Sequence, residues 1–424
     1  MNLLEELEWR GLLHQFIPGT EDQLSKEMTS GYVGFDPTAD SLHIGNLVPV
    51  MLLVHLQRAG HKPIVLVGGA TGMVGDPSGK DEERKLLDIE TIQQNVDSQA
   101  VQLTHFLDFD CGENSAELVN NYDWFKDFTF LDFIRDAGKY ITVNYMLAKD
   151  SVKNRLESGM SFTEFTYQLV QGYDFYWLWK NKNCKIQMGG SDQWGNITTG
   201  TELISRKADG KGYAITAPLL MREDGKKFGK SESGNVWLDG KKTTPYEFYQ
   251  YWLNVSDNDA LKMIKIFTLL SKEEIEALHE QHLAAPHERI LQKALGRDVT
   301  IRVHSEHDYN VVIATSTFLF GQPSKDELLE LNEKDFHAVF AGVQTARLTS
   351  EDLEDGLPIM DALSAKTGFL ASNSEARRAL MDKCVKVNTE TVDSTYVITK
   401  ADLLQGKFLW LKKGKKVHYV IEVE

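Results

Sequence analysis

Residues 35–46 read FDPTADSLHIGN and follow a short apolar run, Gly31-Tyr32-Val33-Gly34. The chain leaves a strand, spends several residues on small turn-forming types, and then sets His43 and Asn46 three apart. A plain loop needs no such pair. A helix beginning near Leu42 places both side chains on one face of its first turn, beside backbone N–H groups that no earlier carbonyl accepts. That is where an anion is best received. Strand, loop and helix in this order are also the unit from which parallel sheets are built.

The same unit recurs outward from this stretch. Residues 31–36 and 62–69 (KPIVLVGG) read as buried parallel strands, each followed by glycine and a helical segment. Apolar runs at 117–121 and 184–188 fit as further strands, with helices over 43–59, 81–106 and 161–181. The expectation is an α/β fold: a doubly wound, Rossmann-like parallel sheet over residues 1–220. Ligands in such sheets bind at the carboxyl ends of strands, where the glycine and acid clusters at 34–36, 68–76 and 189–196 fall. After residue 220 the pattern becomes helical, which predicts an all-α domain over 221–320. Residues 321–350 are polar and mixed and read as a connector. Residues 351–424 read as a small α+β module with strands near 385–388, 396–398 and 417–423.

At 424 residues the chain is too long for one ordinary core. Its 42% hydrophobic and 25% charged content is that of a soluble globular protein. The longest apolar run, Leu47 to Val54, falls short of a membrane span and contains Pro49. The opening MNLLEELEWRGLL reads as an acidic amphipathic helix and not a targeting segment. Three scattered cysteines, Cys111, Cys184 and Cys384, imply reduced thiols and a cytoplasmic location. No zinc spacing exists, and His279, His282 and His287 read as a solvated helix face, so no protein-bound metal is expected. GDPSGKD (75–81) misses a phosphate loop, because three residues separate its glycines and Asp81 stands where Ser or Thr is needed. The glycine spacing of GGATGMVG is likewise wrong for a dinucleotide site. The net charge of −16 argues against a nucleic-acid partner, but from Ala362 to Glu424 eleven Lys/Arg face seven Asp/Glu. A basic tail on an acidic body is a real asymmetry, though by itself it reads more readily as a solvated face.

A second signal is MREDGKKFGKSESG (221–234), where Lys226, Lys227 and Lys230 lie among glycines. Glycine lets the loop move and lets its backbone approach a ligand, while Lys donates to phosphate as a point charge. HIGN followed about 180 residues later by KFGKS resembles the HIGH and KMSKS signatures of class I aminoacyl-tRNA synthetases. YVGFDPTADSLHIGN, VGGATGMVGDPSGK, SFTEFTYQLVQGYDF, MGGSDQWGNI and KKFGKS together resemble the bacterial tyrosyl-tRNA synthetase family over essentially the whole chain.

The resemblance implies a homodimeric, ATP-dependent tyrosine–tRNA ligase. Its substrates would be L-tyrosine, ATP with magnesium on the phosphates, and tRNA(Tyr), with no membrane partner. Tyrosine's carboxylate is already ionised at neutral pH, so activation needs positioning and charge stabilisation and no general base. His43, Asn46 and Thr38 would then receive the ATP phosphates, which answers the anion question raised by the opening stretch. Asn46 departs from the family's terminal His but still offers a donor. Lys80 and Arg84 would add transition-state contacts, and Lys227 and Lys230 would hold the pyrophosphate side. Tyr32 and Asp174 would bind the phenol, Asp76, Tyr167 and Gln171 the α-ammonium, and Gln193 would lie near the carboxylate. Tyr167, Gln171 and Asp174 follow at i, i+4 and i+7, so one helix face can present all three. Gly34, Asp36, Gly45, Gly189, Gly190, Asp192, Lys230 and Ser231 would line the ATP site, and Val33 stands where some relatives have a polar ribose contact. Arg377, Arg378, Lys412, Lys413, Lys415 and Lys416 would contact RNA, which reverses the solvated-face reading of the tail. The dimer contact would lie in the aromatic insertion near 122–155. Competing readings are a tryptophan-specific relative, a small-metabolite adenylyltransferase, and an RNA-binding factor without catalysis.

Overall fold

The computed structural model describes the chain apart from residues 1, 79–86, 157–158, 222, 224, 226–227, 232–233, 321–322, 341–342 and 415–416. Side chains are described for the rest except 154–156, 230–231, 319–320, 325, 334–335 and 338. The apolar runs anticipated as strands pair as expected. Strands β1 (Gln15–Phe16), β2 (Ser30–Phe35), β3 (Lys62–Val67), β4 (Glu117–Asn120), β5 (Cys184–Gly190) and β6 (Tyr213–Ala217) form one sheet in the order β1-β6-β5-β2-β3-β4. All neighbours are parallel except the edge strand β1. From β2 the chain moves outward through β3 and β4, then returns to β5 on the other side and on to β6. The order therefore reverses between β2 and β5, and a crevice opens there at the strands' carboxyl ends. β6, with every residue buried, was not anticipated; five apolar-to-neutral residues behind a glycine- and lysine-rich turn give too short a signal. A two-residue hairpin, β7 (Lys230–Ser231) and β8 (Gly234–Asn235), lies in the lysine-bearing loop.

The compact units differ from the expected domains. One comprises residues Met1–Thr243 and Trp252–Val303, the other Thr244–Tyr251 and His304–Glu424. The predicted all-α domain over 221–320 is thus divided: helices Asp257–Phe267, Lys272–Ala284 and Ile290–Val303 belong with the sheet, and Glu306–Phe320 with the C-terminal unit. The reason is visible in buried polar chemistry. Arg10, on the N-terminal helix Leu3–Arg10, is only 3% exposed. Its guanidinium donates to the carbonyls of Lys265 (2.7 Å), Thr268 (2.9 Å) and Leu270 (2.8 Å). Arg302 donates to the Phe267 carbonyl at 2.8 Å. Two cations thus satisfy the carbonyl end of the Asp257–Phe267 helix, where the helix dipole favours positive charge.

The expected connector at 321–350 is ordered secondary structure. It contains helices Lys325–Glu330 and Glu333–Val339 and strand β9 (Gln344–Leu348). With β10 (Leu357–Pro358), β11 (Val385–Val387), β12 (Glu390–Thr391), β13 (Val397–Ile398), β14 (Phe408–Lys413) and β15 (Val417–Val423), β9 completes the C-terminal unit. Its main sheet runs β12-β11-β14-β15-β9, with β9 parallel to β15. Alternate residues face opposite sides. Leu409, Leu411, Tyr419 and Ile421 pack with Ile359, Leu363, Ala376 and Leu380 of the helices Ile359–Leu363 and Asn373–Met381. On the other face Phe336 stacks on Phe408 at 4.3 Å and Phe340 meets Trp410 at 5.7 Å. Two aromatics spaced i, i+4 in a polar stretch were the missed signal.

Replacing Arg10 by Ala leaves three carbonyls without their donor. The loss should be about 2–4 kcal/mol, read as a lower urea midpoint with unchanged m. An unchanged midpoint would show that these bonds contribute nothing net.

Candidate active site

A cavity of about 620 Å³ occupies the crevice between β2 and β5. Tyr32, Gly34, Asp36, Thr38, His43, Gly45, Asn46, Asp76, Tyr167, Gln171, Asp174, Gly189, Gly190, Asp192 and Gln193, all singled out in the sequence, line it. Lys80, Arg84, Lys227, Lys415 and Lys416 lie outside the described residues, and Lys230 and Ser231 are described in their backbone alone.

The helix Phe162–Lys182 carries three of the lining residues on one face. Ser161 starts it, accepting from the Glu164 N–H at 3.2 Å while Glu164 reaches back, a reciprocal cap. Its close approach to the helix Trp194–Ala208 depends on Gly200, where a Cβ would come within 2.8 Å of Phe175. At the cavity floor Asp174 is 1% exposed. One of its oxygens accepts from Asn121 Nδ2 (3.0 Å) and the other from Trp124 Nε1 (2.9 Å). Burial pushes its carboxyl up to about 8, against the pull of these two bonds. Asn121 is itself fixed, accepting from the Ala70 N–H at 2.7 Å and donating to Thr71 Oγ1 at 3.0 Å. Neither Asn121 nor Trp124 was anticipated. The NNYDWF stretch offers two amides and an indole beside a strand end, but only the fold aims them at Asp174.

Tyr167 donates to Asp36 Oδ2 at 2.8 Å, and burial keeps its phenol neutral by raising it well above the usual range. Asp76 accepts from Gln193 Nε2 (2.7 Å), Asn196 Nδ2 (3.3 Å) and the Ser78 N–H (2.9 Å). Four buried polar atoms of lining residues have no partner among the described residues: Tyr32 Oη, Gln99 Oε1, Gln171 Oε1 and Gln187 Oε1. Each costs about 1–3 kcal/mol until something bonds to it. Such a group of orphans is the mark of a site built for a polar ligand.

The two signature segments meet at the cavity's rim. Ile44 N–H donates to the Val236 carbonyl (2.9 Å) and Leu238 N–H to that of Leu42 (2.8 Å), a short antiparallel ribbon. Phe228 stacks on Phe267 at 5.1 Å and lies 5.9 Å from Trp252, which seats the loop. Gly229, at φ +110°, lies so close that a Cβ there would be 3.5 Å from Gly45 Cα.

The expectation that free first-turn N–H groups receive the anion is corrected. The N–H groups of His43 and Gly45 bond to Asn46 Oδ1 and His43 Nδ1, both at 3.0 Å. Those of Ile44 and Asn46 reach the carbonyls of Val236 and His43. The helical run is a 3₁₀ turn, Ile44–Asn46, leading into Leu47–Arg58. Donation therefore passes to the side chains. With Nδ1 accepting, a neutral His43 carries its proton on Nε2, and Asn46 keeps its amide N–H₂.

In the C-terminal unit Arg377 and Arg378 are exposed on the helix Asn373–Met381. Lys413 is tied to Glu375 at 2.5 Å. Lys412 stands directly across from Lys386, which the sequence reading missed. Burial and then Lys386 lower the Lys412 ammonium. Like charges directly opposite on neighbouring strands are unfavourable without an anion between them.

Residues 24–321 match the family model described as tRNA synthetases class I (W and Y). Residues 335–421 match the model of a tyrosine–tRNA ligase SYY-like C-terminal domain. The chain is 58% identical to a tyrosine–tRNA ligase of Flavobacterium johnsoniae, covering 100% of this chain and 99% of that one. It is 56% identical to one of Cytophaga hutchinsonii, with 99% of each chain covered. Among solved structures, a C-terminally truncated mitochondrial tyrosyl-tRNA synthetase of Aspergillus nidulans superposes with a TM-score of 0.67. It is 31% identical, covering 75% of this chain and 94% of that one. A sheet cleft with both signatures at its rim and full-length likeness of this degree lead to one conclusion: the chain belongs to the class I tRNA synthetases, among the tyrosine–tRNA ligases.

Proposed function

We propose that the protein activates L-tyrosine with ATP, releasing pyrophosphate, and then transfers the tyrosyl group to the terminal adenosine of tRNA(Tyr). The observation that carries the reading is the floor of the cavity. A buried Asp174 and an unpartnered Tyr32 hydroxyl converge where a phenol O–H can both donate and accept. A tryptophan indole N–H could only donate, so the phenol satisfies this floor better. Asp76, Gln171 and Tyr167 form a polar, anionic wall suited to the α-ammonium, with Gln193 beside the carboxylate that attacks the α-phosphorus. That carboxylate is its own nucleophile, so the chain's task is orientation and relief of charge on the departing pyrophosphate. His43 Nε2 and Asn46 Nδ2 serve there with Thr38, and Lys227 and Lys230 close from the loop. Gly34, Asp36, Gly45, Gly189, Gly190, Asp192 and Ser231 line the adenosine side. Magnesium enters with the ATP phosphates. Arg377, Arg378 and Lys412 serve tRNA.

The working form is a cytoplasmic homodimer. Helix Phe130–Asp136 leaves Phe130, Leu131 and Ile134 exposed in the insertion the sequence marks for that contact. Among the described residues no helix is long and apolar enough to cross a membrane.

Pyrophosphate exchange into ATP with each amino acid offered singly should succeed with tyrosine and fail with tryptophan. Asp174→Asn should cut kcat/KM for tyrosine by about 10- to 100-fold, the worth of a charge-assisted bond. Normal exchange by that variant would misplace the phenol. Gly45→Ala would put a Cβ 2.8 Å from His43 Cε1. Its kcat should drop at least tenfold with tyrosine affinity kept, because the contact strengthens as pyrophosphate leaves; a matching loss of tyrosine affinity would point to general distortion. The triple variant Arg377→Ala, Arg378→Ala, Lys412→Ala should exchange pyrophosphate normally while charging tRNA poorly. The slope of log affinity against log salt should fall by about 0.7–0.9 for each lost phosphate contact; an unaltered slope would remove these residues from the RNA surface.

A further inference from the structure

The helix Ile89–Thr104 presents three carboxamides, at i, i+4 and i+7, to the loop that leads from β2 to His43. Asn95 Nδ2 donates to the Pro37 carbonyl at 2.9 Å, and Gln99 Nε2 to that of Ala39 at 2.8 Å. Gln102 grips the end of the loop with both arms of its amide. Its Oε1 accepts from the Leu42 N–H (2.8 Å) and its Nε2 donates to Ser41 Oγ (3.0 Å). Ser41 is only 3% exposed. Its hydroxyl donates to the Leu42 carbonyl at 2.8 Å and accepts a further bond from the Asp239 N–H at 3.2 Å. The proton and both lone pairs of one hydroxyl are thereby engaged. Asp239 is itself set in a turn: its carbonyl accepts from the N–H groups of Lys242 and Thr243, both at 3.0 Å, and its Oδ1 from the Lys241 N–H at 2.9 Å. The neighbouring Lys242–Asp40 ion pair is partly exposed and contributes little.

One hydroxyl thus joins the helix, the turn before His43 and the chain leaving the 221–234 loop. We infer that Ser41, held by Gln102, is a positioning residue for the phosphate chemistry: it fixes the turn bearing His43 and the end of the lysine-bearing loop in one relative placement. The inference rests on the ATP-using reading above, in which both segments act on the same departing pyrophosphate. Groups that share the stabilisation of one developing charge lose effect when their separation drifts. The ribbon bonds of Ile44 and Leu238 join these two segments to each other; Ser41 adds a tie from both to the helix. It lines the cavity, but with its proton already given to Leu42 it acts through His43 and the loop. None of its bonds involves a residue of the cavity floor, so tyrosine binding does not depend on it.

Ser41→Ala removes the joint and leaves the ribbon. Gln102→Leu removes the tie to the helix and keeps the Asp239 bond. Pyrophosphate exchange on the full chain gives kcat and the KM for tyrosine, and urea unfolding gives the midpoint. Ser41→Ala should lower kcat about 5- to 30-fold, the worth of one or two neutral hydrogen bonds. The KM for tyrosine should be kept, because the placement matters most as pyrophosphate leaves. Gln102→Leu should act the same way and by less. In the double variant the two losses should not multiply, since both pass through one hydroxyl. Full kcat in Ser41→Ala would overturn the inference, as would losses that multiply in the double variant. So would a loss of tyrosine affinity that tracks a lowered urea midpoint, the pattern of general distortion. If Ser41→Ala does not fold, Gln102→Leu decides, and an unchanged kcat there refutes the joint. Absence of tyrosine exchange by the unaltered protein would sink the underlying reading and this one with it, whereas variants as active as the unaltered protein would defeat this inference alone.

Discussion

A carboxylate buried without a cation among the described residues is the constraint around which the first unit is arranged. Desolvating Asp174 favours its neutral form, and only correctly placed donors can hold the ionised one. That requirement reaches far along the chain. Asn121 must emerge at the end of β4, Trp124 must turn back from the insertion, and the Phe162–Lys182 helix must lie close to its neighbour at Gly200. Tyr32 must project from β2 toward the same point with its hydroxyl left unpartnered. A packing core would have filled this place with leucine. The structure instead carries unsatisfied polar groups, the mark of a site built for a polar ligand.

The rim follows the opposite logic at residues 43–46, whose backbone N–H groups are already bonded. The N–H groups of residues 43–46 all have acceptors within the chain, so none of them is left to receive an anion. In the proposed reaction the side chains of His43 and Asn46 serve the phosphates, oriented by the bonds His43 Nδ1 and Asn46 Oδ1 make. The ribbon joining 42–44 to 236–238 puts the loop's far end on the same frame, and Phe228 anchors its middle. Stabilisation of charge on a leaving group works best when donors pay no reorganisation at the moment of reaction, and this frame supplies that condition.

How much was legible follows from how local each signal is. β2, β3, β4 and β5 were readable because each is a run of apolar residues closed by glycine or a turn. Tyr167, Gln171 and Asp174 were readable through the family resemblance, and helical spacing agrees by placing all three on one face. β6 and β14 were not, since each is only five or six residues long and neither alternates apolar with polar. The polar 321–350 segment hid two aromatics whose partners, Phe408 and Trp410, lie about seventy residues away in sequence. Asn121 and Trp124 were invisible as site residues for the same reason. A donor's target is set by tertiary structure, whereas a signature's spacing is set by the backbone. The free N–H groups inferred at the helix start failed because reciprocal capping by His43 and Asn46 had no precedent in an S/T-type cap pattern.

The charge of the cavity adds a final condition on the chemistry. Asp36, Asp76, Asp174 and Asp192 all line it, and among the described residues no Lys or Arg does. Such a wall attracts the ammonium of an amino acid and repels a triphosphate. Neutral donors such as His43 Nε2 and Asn46 Nδ2 soften that repulsion but cannot cancel several phosphate charges. In the proposed reaction positive charge comes with a cation on the nucleotide and from the lysines of the 221–234 loop. The glycines at 225, 229 and 234, all at positive φ, give that loop backbone conformations open to few other residues.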